Sequence, residues 1–174
     1  MLFRSKVFFD RQLSRFDYSE PCSEEKFYST GNQVCNGYIA MNNGGLLGRG
    51  LGNSTQKYLY LPYAYTDFIF AIIVEELGFV TAIIIILLIF VVLWRIFIIG
   101  KRSNSEHGKL ICNGVFWYIL IHLLVNLGGI TGLIPLTGVP LPFLSYGGSY
   151  LMCVMVSLAF VQRVAIETKK EAKN

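Results

Sequence analysis

Polar and apolar residues fall in long blocks along this chain rather than alternating. No Asp, Glu, Lys or Arg occurs between Glu76 and Arg95, and none between Lys109 and Arg163. Uncharged apolar runs of this length read as membrane spans, because about 20 helical residues cross the hydrocarbon core. The pattern predicts an all-α integral membrane protein with three transmembrane helices at about 67–100, 110–127 and 143–163. The first should start near Thr66 or Asp67, either of which can cap it just after Pro62, and end at Lys101 and Arg102. The second runs from Leu110 to Leu127 and the third from Phe143 to Gln162. Between them, Gly128–Pro142 is too rich in Gly and Pro for continuous helix. Residues 1–66 form a polar region with expected turns at Tyr28–Gln33 and Asn42–Gly45, and with short helices lying on the membrane surface between Tyr38 and Leu51. Residues 67–174 hold the spans and a charged tail.

Charge sets the expected orientation. Only 15% of residues are charged and 53% are apolar. Soluble domains carry about 25% charged residues, so a soluble globular enzyme is excluded. The Lys101–Lys109 loop holds three bases against Glu106, and the tail holds Arg163, Lys169, Lys170 and Lys173 against Glu167 and Glu171. The positive-inside rule puts both (101–109 and 163–174) in the cytoplasm, and so 1–66 and 128–142 outside. The net charge of +4 belongs to this topology, since no nucleic-acid motif accompanies it. A polar segment of 66 residues crossing without a leader implies missing earlier spans, with Met1 internal or opening a truncated reading frame. The four cysteines lack C-x-x-C spacing and indicate no zinc site. Cys22 and Cys35 either close a loop worth about 3 kcal/mol or remain free thiols. Cys112 and Cys153 read as small apolar residues within spans.

Several groups can carry chemistry. Asp67, at the outer mouth of the first span, is either a helix cap or a general base facing a water-accessible cleft. Glu75 and Glu76 lie about 12 Å deeper at 1.5 Å per residue. Adjacent side chains point about 100° apart, so one is expected to bind an interhelical partner and the other to reach the interface. His122 is a partner for them or a plain interior histidine. The 128–148 connection is an exterior loop stiffened by prolines or the wall of a ligand cavity. Gly44–Lys57 matches neither a P-loop nor a dinucleotide turn. Its glycines let backbone amides approach an anion, and Arg49 and Lys57 add charge suited to an exterior phosphate-bearing ligand.

Two ordered motifs then resemble one family. Gly44-Gly-Leu-Leu-Gly-Arg-Gly-Leu-Gly-Asn-Ser-Thr-Gln-Lys57, Leu61-Pro62, Thr66-Asp-Phe-Ile-Phe70 and Glu75-Glu-Leu-Gly78 are similar to the central signature of the SEDS family (FtsW, RodA and SpoVE). Asn126, Gly132, Pro135, Thr137-Gly138 and Leu141-Pro-Phe-Leu-Ser-Tyr-Gly-Gly-Ser149 are similar to its second signature. The Gly-Leu-Gly-Asn-Ser form looks more like the division and sporulation members than RodA. Tyr65, Val74 and Tyr150 depart from the pattern, where a histidine, a glycine and a small residue are usual, and Tyr150 is expected to narrow the cavity.

The resemblance implies the C-terminal three helices and large exterior loop of a ten-helix bundle in a bacterial cell membrane. It implies a peptidoglycan glycosyltransferase that polymerises lipid II and releases undecaprenyl pyrophosphate, paired with a class B penicillin-binding protein and divisome proteins. Asp67 matches the family's catalytic acidic residue. Arg49, Asn53, Gln56, Lys57, Thr66, Glu76, Pro142, Ser145, Gly147 and Gly148 are the implied substrate-binding positions. No metal ligands are assigned, although the chemistry leaves room for a divalent cation, Mg or Mn. A lipid II flippase and an inactive partner-binding fragment are the alternatives.

Overall fold

The computed structural model describes Cys22, residues 32–59 and residues 65–171. Among these the structure is helical without strands. It comprises α1 (Asn32–Gly44), α2 (Gln56–Leu59), α3 (Ile69–Arg102), α4 (Glu106–Ile130) and α5 (Gly148–Glu171). The last three are long and apolar enough to cross a membrane. They pack along a narrow seam in which Ile89, Leu93 and Ile96 of α3 meet Ile119 and Leu123 of α4 and Val161 and Val164 of α5. Most of their remaining apolar surface is exposed, including Leu87, Leu88 and Trp94 on α3 and Met152 and Met155 on α5. Exposed apolar stripes on this scale suit lipid or further helices rather than water.

The helix boundaries differ from the expected ones by a few residues at most ends. The first span begins at Ile69, with Phe68 at the N-cap position and no side-chain cap, so neither Thr66 nor Asp67 caps it. The second is longer than expected and is capped by Ser105, whose hydroxyl accepts from Gly108 N at 3.5 Å. The third starts at Gly148, five residues late. Leu141–Ser145 forms a turn in which Phe143 adopts φ 68°, closed by Ser145 N donating to Leu141 O at 3.1 Å. Residues of the basic tail continue α5 as far as Glu171.

The region before the spans is more integrated than surface helices would be. Val34, Cys35, Asn36 and Ala40 of α1 are buried, and the helix packs against α3. Asn42–Gly44 belongs to α1 and the chain reverses from Gly45 (φ 53°), one residue beyond most of the expected turn. Cys35 is disulfide-bonded to Cys22, which resolves the alternative left open by the sequence. Most of the expected Tyr28–Gln33 turn lies outside the described residues, as do Leu61 and Pro62; its last residues, Asn32 and Gln33, open α1.

One break in the fold positions everything above it. α3 is interrupted at Gly78 (φ 86°, ψ 165°). The interruption deprives the carbonyls before it and the amides after it of helical partners. The Gly44–Gly52 loop replaces them. Arg49 N and Gly50 N donate to Glu75 O and Glu76 O, each at 2.9 Å. Phe79 N donates to Gly45 O at 3.0 Å and Val80 N to Leu46 O at 3.3 Å. A Cβ on Gly78 would strike Leu46 O and Gly48 N, and one on Gly48 would strike Glu76 O. Two glycines therefore let two backbones interlock at a depth where unpaired peptide groups cost several kcal/mol each.

Candidate active site

Asp67 lies in a short turn over residues 65–68, just before α3, and three consecutive residues there are tied to the connection between α4 and α5. Tyr146 N donates to Tyr65 O at 2.9 Å. Ser145 Oγ donates to Thr66 O at 2.6 Å and accepts from Leu141 N at 2.7 Å. Asn126 Nδ2, from within α4, donates to Asp67 O at 3.0 Å and to Val139 O at 2.7 Å. The irregular backbone of the connection is thus satisfied by protein groups, as non-helical chain at the edge of a membrane requires.

The Asp67 side chain adjoins a narrow crevice, too tight in this structure to admit a water molecule, lined also by Val125, Asn126, Gly129, Leu136, Thr137, Gly138 and Val139. Gly138 has φ 72°, and a Cβ there would come within 3.2 Å of Asp67 Oδ2. Half-burial pushes the Asp67 carboxyl above its ordinary pKa, and a hydrogen bond from the Thr66 side chain offsets part of that rise. A carboxylate made more basic by desolvation, but not sealed from solvent, is suited to accepting a proton from a hydroxyl.

A second cluster forms around the helix break. Glu75 is fully buried, and its carboxylate accepts from Ser54 Oγ, Thr55 N at 3.2 Å and Thr55 Oγ1 at 3.1 Å. Glu76 pairs with Lys57 at 3.5 Å. Both glutamates therefore engage one segment, Ser54–Lys57, instead of diverging to an interhelical partner and the interface. The hydroxyls of Ser54 and Thr55 are the reason, because the segment wraps across the end of the first half of α3. Lys57 Nζ also lies 5.4 Å from the Tyr65 ring centroid, which links this cluster to the Asp67 turn.

The expected site residues thus separate into two groups. Thr66 and Ser145 adjoin Asp67, while Pro142 is fully buried beside Leu141 in the supporting turn. Arg49, Asn53, Gln56, Lys57 and Glu76 belong to the cluster at the break. Arg49 is exposed, with its carbonyl held by Asn53 Nδ2 at 3.2 Å, and Gln56 is buried. Gly147 is half-buried and Gly148 is exposed at the start of α5. Tyr150 does not line the crevice. It stacks on His122 with centroids 5.3 Å apart, and His122 Nδ1 meets Tyr118 O at 2.8 Å, a part-buried histidine without a carboxylate partner among the described residues.

Asn126, Gly138 and Val139 were not singled out as site residues by sequence reasoning. An Asn near the end of an apolar span was the available signal for the first. Among the described residues no three of His, Cys, Asp and Glu gather, and Asp67 is the one carboxylate lining the crevice. The described residues therefore form no all-protein cage for Mg or Mn, and no step below is routed through such an ion.

The sequence profile of the FtsW/RodA/SpoVE family, described as cell cycle proteins, matches residues 1–170. The chain belongs to this family. It is 46% identical over 142 residues to the probable peptidoglycan glycosyltransferase FtsW of Lactococcus lactis, covering 82% of this chain and 34% of that protein. To the Bacillus subtilis protein of the same description it is 40% identical over 166 residues, covering 95% and 41%. To stage V sporulation protein E of B. subtilis it is 44% identical over 136 residues, covering 78% and 37%. A chain from a solved structure concerning coordination of polymerization and crosslinking by a peptidoglycan synthase complex superposes with TM-score 0.67 at 26% identity, covering 91% of this chain and 41% of that one. This FtsW/RodA/SpoVE chain therefore spans between about a third and two fifths of the length of these relatives. Family membership and three membrane-capable helices make it a membrane protein.

Proposed function

We propose that this chain carries the catalytic carboxylate and the acceptor-side wall of a peptidoglycan glycosyltransferase that polymerises lipid II. The observation that carries the reading is Asp67, a half-buried carboxylate with a raised pKa, anchored through its own backbone beside a crevice. Asp67 accepts the proton of the acceptor GlcNAc 4-hydroxyl as that oxygen attacks C1 of the donor MurNAc. The C1–O bond to undecaprenyl pyrophosphate breaks with inversion, and the pyrophosphate leaves with the bonding electron pair. Arg49, exposed on the loop, is available to the developing phosphate charge, while Lys57 acts from its pairing with Glu76.

In this reading residues 1–66 and 128–142 face the exterior and 101–109 and 163–174 the cytoplasm. The bases at one end of the spans support it, and so does the Cys22–Cys35 disulfide, since such bonds persist in oxidising compartments. The partner is a class B penicillin-binding protein within the divisome; likeness to a chain of a synthase complex supports this. The test is glycan formation from lipid II in detergent by the purified complete protein. A flippase makes no polymer there, so a product that requires Asp67 supports the enzyme and its absence overturns it.

A further inference from the structure

At the opposite end of the bundle from Asp67, α3 and α5 enclose a cleft of about 510 Å³ lined by Arg95, Ile99, Arg102, Ala165, Thr168 and Lys169. Arg95, Ile99 and Arg102 follow the i, i+4, i+7 spacing of one helix face, and Ala165, Thr168 and Lys169 share a face of α5. Three cations thus converge on one opening. Among the described residues none of the three has a carboxylate partner. The nearby acids are committed elsewhere. Glu167 pairs with Arg163 at 2.8 Å, Glu106 with Lys109 at 2.8 Å, and Glu171 accepts from Asn104 at 3.4 Å.

Arg95 lies two turns, about 10 Å, inside the end of α3. It is flanked by Trp94, Ile96 and other apolar residues. A guanidinium at that depth needs a counter-charge or water, and its long stem points it toward the headgroup level. The exposed Trp94 indole next to it is of the kind that settles at this level.

We propose that this cleft binds the phosphate headgroup of an anionic phospholipid from the adjoining leaflet, with Arg95, Arg102 and Lys169 as counter-ions and the acyl chains against the exposed faces of α3 and α5. Basic pockets between spans recognise such headgroups through charge and shape, and a guanidinium pairs with phosphate through two parallel N–H bonds. The site is independent of the chemistry at Asp67.

The test reconstitutes the full 174-residue chain in phosphatidylcholine vesicles with or without phosphatidylglycerol, and counts retained lipid by native mass spectrometry. Phosphatidylglycerol should be retained over phosphatidylcholine. Each charge near the surface is worth about fivefold in affinity, so the triple variant Arg95→Gln, Arg102→Gln, Lys169→Gln should lose about a hundredfold. Arg163→Gln, which removes a base outside the cleft, should retain the lipid. Should the triple variant fail to fold, Arg102→Gln and Lys169→Gln made singly should each cost about fivefold. Equal retention of the two lipids, or full retention by the triple or both single variants, overturns the proposal. Displacement of the lipid by inorganic phosphate alone overturns the lipid as the source.

Discussion

Asn126 and Asp67 are 59 residues apart in sequence, yet the amide of one holds the main-chain carbonyl of the other at 3.0 Å. The same amide group holds Val139 O at 2.7 Å, so a single side chain inside α4 fixes both the turn bearing the carboxylate and the opposite wall of its crevice. Replacing Asn126 with Leu leaves two carbonyls without that donor. The loss should fall on kcat, by about ten- to a hundredfold, because misplacement of a reacting group costs rate more than binding. Steady-state kinetics on lipid II separate the two, and an unchanged kcat with a raised KM would contradict the positioning role.

Removing the carboxylate itself is the more severe change. Asp67→Asn keeps the shape of the side chain and abolishes its basicity, so polymerisation should drop by about 10²–10⁴-fold, the usual contribution of a positioned base. Membrane insertion and thermal unfolding should stay close to those of the parent, because Asp67 caps no helix. Normal glycan yield from this variant would remove the basis of the assignment.

The pH dependence follows from the environment of Asp67. Burial raises its pKa, and Thr66 only partly counters the rise. A base works deprotonated, so kcat/KM should climb with pH through an apparent pKa above the ordinary carboxylate value. Thr66→Val removes the hydrogen bond that favours the charged form, so the acidic limb should move to still higher pH. A shift toward lower pH would show that the profile reports another group. The corresponding stability term has the opposite direction. Because the folded pKa lies above the unfolded one, this group favours the folded state most at pH below the unfolded value, and that contribution fades as pH rises through the folded one.

Gly78 and Gly52 give a matched comparison. Both have positive φ, 86° and 81°. A Cβ at Gly52 meets nothing within 4 Å, whereas at Gly78 it meets the backbone of the loop. Gly52→Ala should cost only the left-handed strain, about 1–2 kcal/mol. Gly78→Ala should cost about 3–5 kcal/mol, since steric conflict and unmade hydrogen bonds add to that strain. Equal shifts in thermal unfolding would mean that the loop does not dock at the break.

Glu75 tests the second cluster. Glu75→Ala strands Ser54 and Thr55, each buried or part-buried donor costing about 1–3 kcal/mol, while Glu75→Gln keeps an acceptor and should cost less. Denaturant unfolding of both variants in detergent ranks them. The reverse order would place the stabilisation in charge rather than in hydrogen bonding.

The three spans were legible in the sequence because uncharged runs are dictated by the hydrocarbon, and no other structure satisfies peptide groups there. Their ends were less so. Hydropathy marks the thickness of the oil, whereas the ends of α4 and α5 are set by Ser105 and by the turn around Phe143. Tyr38–Leu51 was read as short surface helices because it mixes apolar residues with glycines, whereas its first part belongs to α1, which packs on α3. Those glycines are where it approaches α3, a matter of tertiary contact invisible in local composition. Asp67 was found as a candidate, but not its supports. A clamp joining positions 59 residues apart leaves no trace in the spacing of either motif.

The joint at Gly78 makes the Gly44–Gly52 loop and the two pieces of α3 a single cooperative element. Its four inter-segment hydrogen bonds are made by amides on both sides, Arg49 and Gly50 on the loop, Phe79 and Val80 on the helix. In hydrogen–deuterium exchange these four amides should share one opening free energy, although the sequence separates them by about thirty positions and assigns them to different structures. The short rod that follows Asp67 is thereby moored to the loop by two peptide groups, Arg49 N on Glu75 O and Gly50 N on Glu76 O, as well as by the chain that runs on through Gly78.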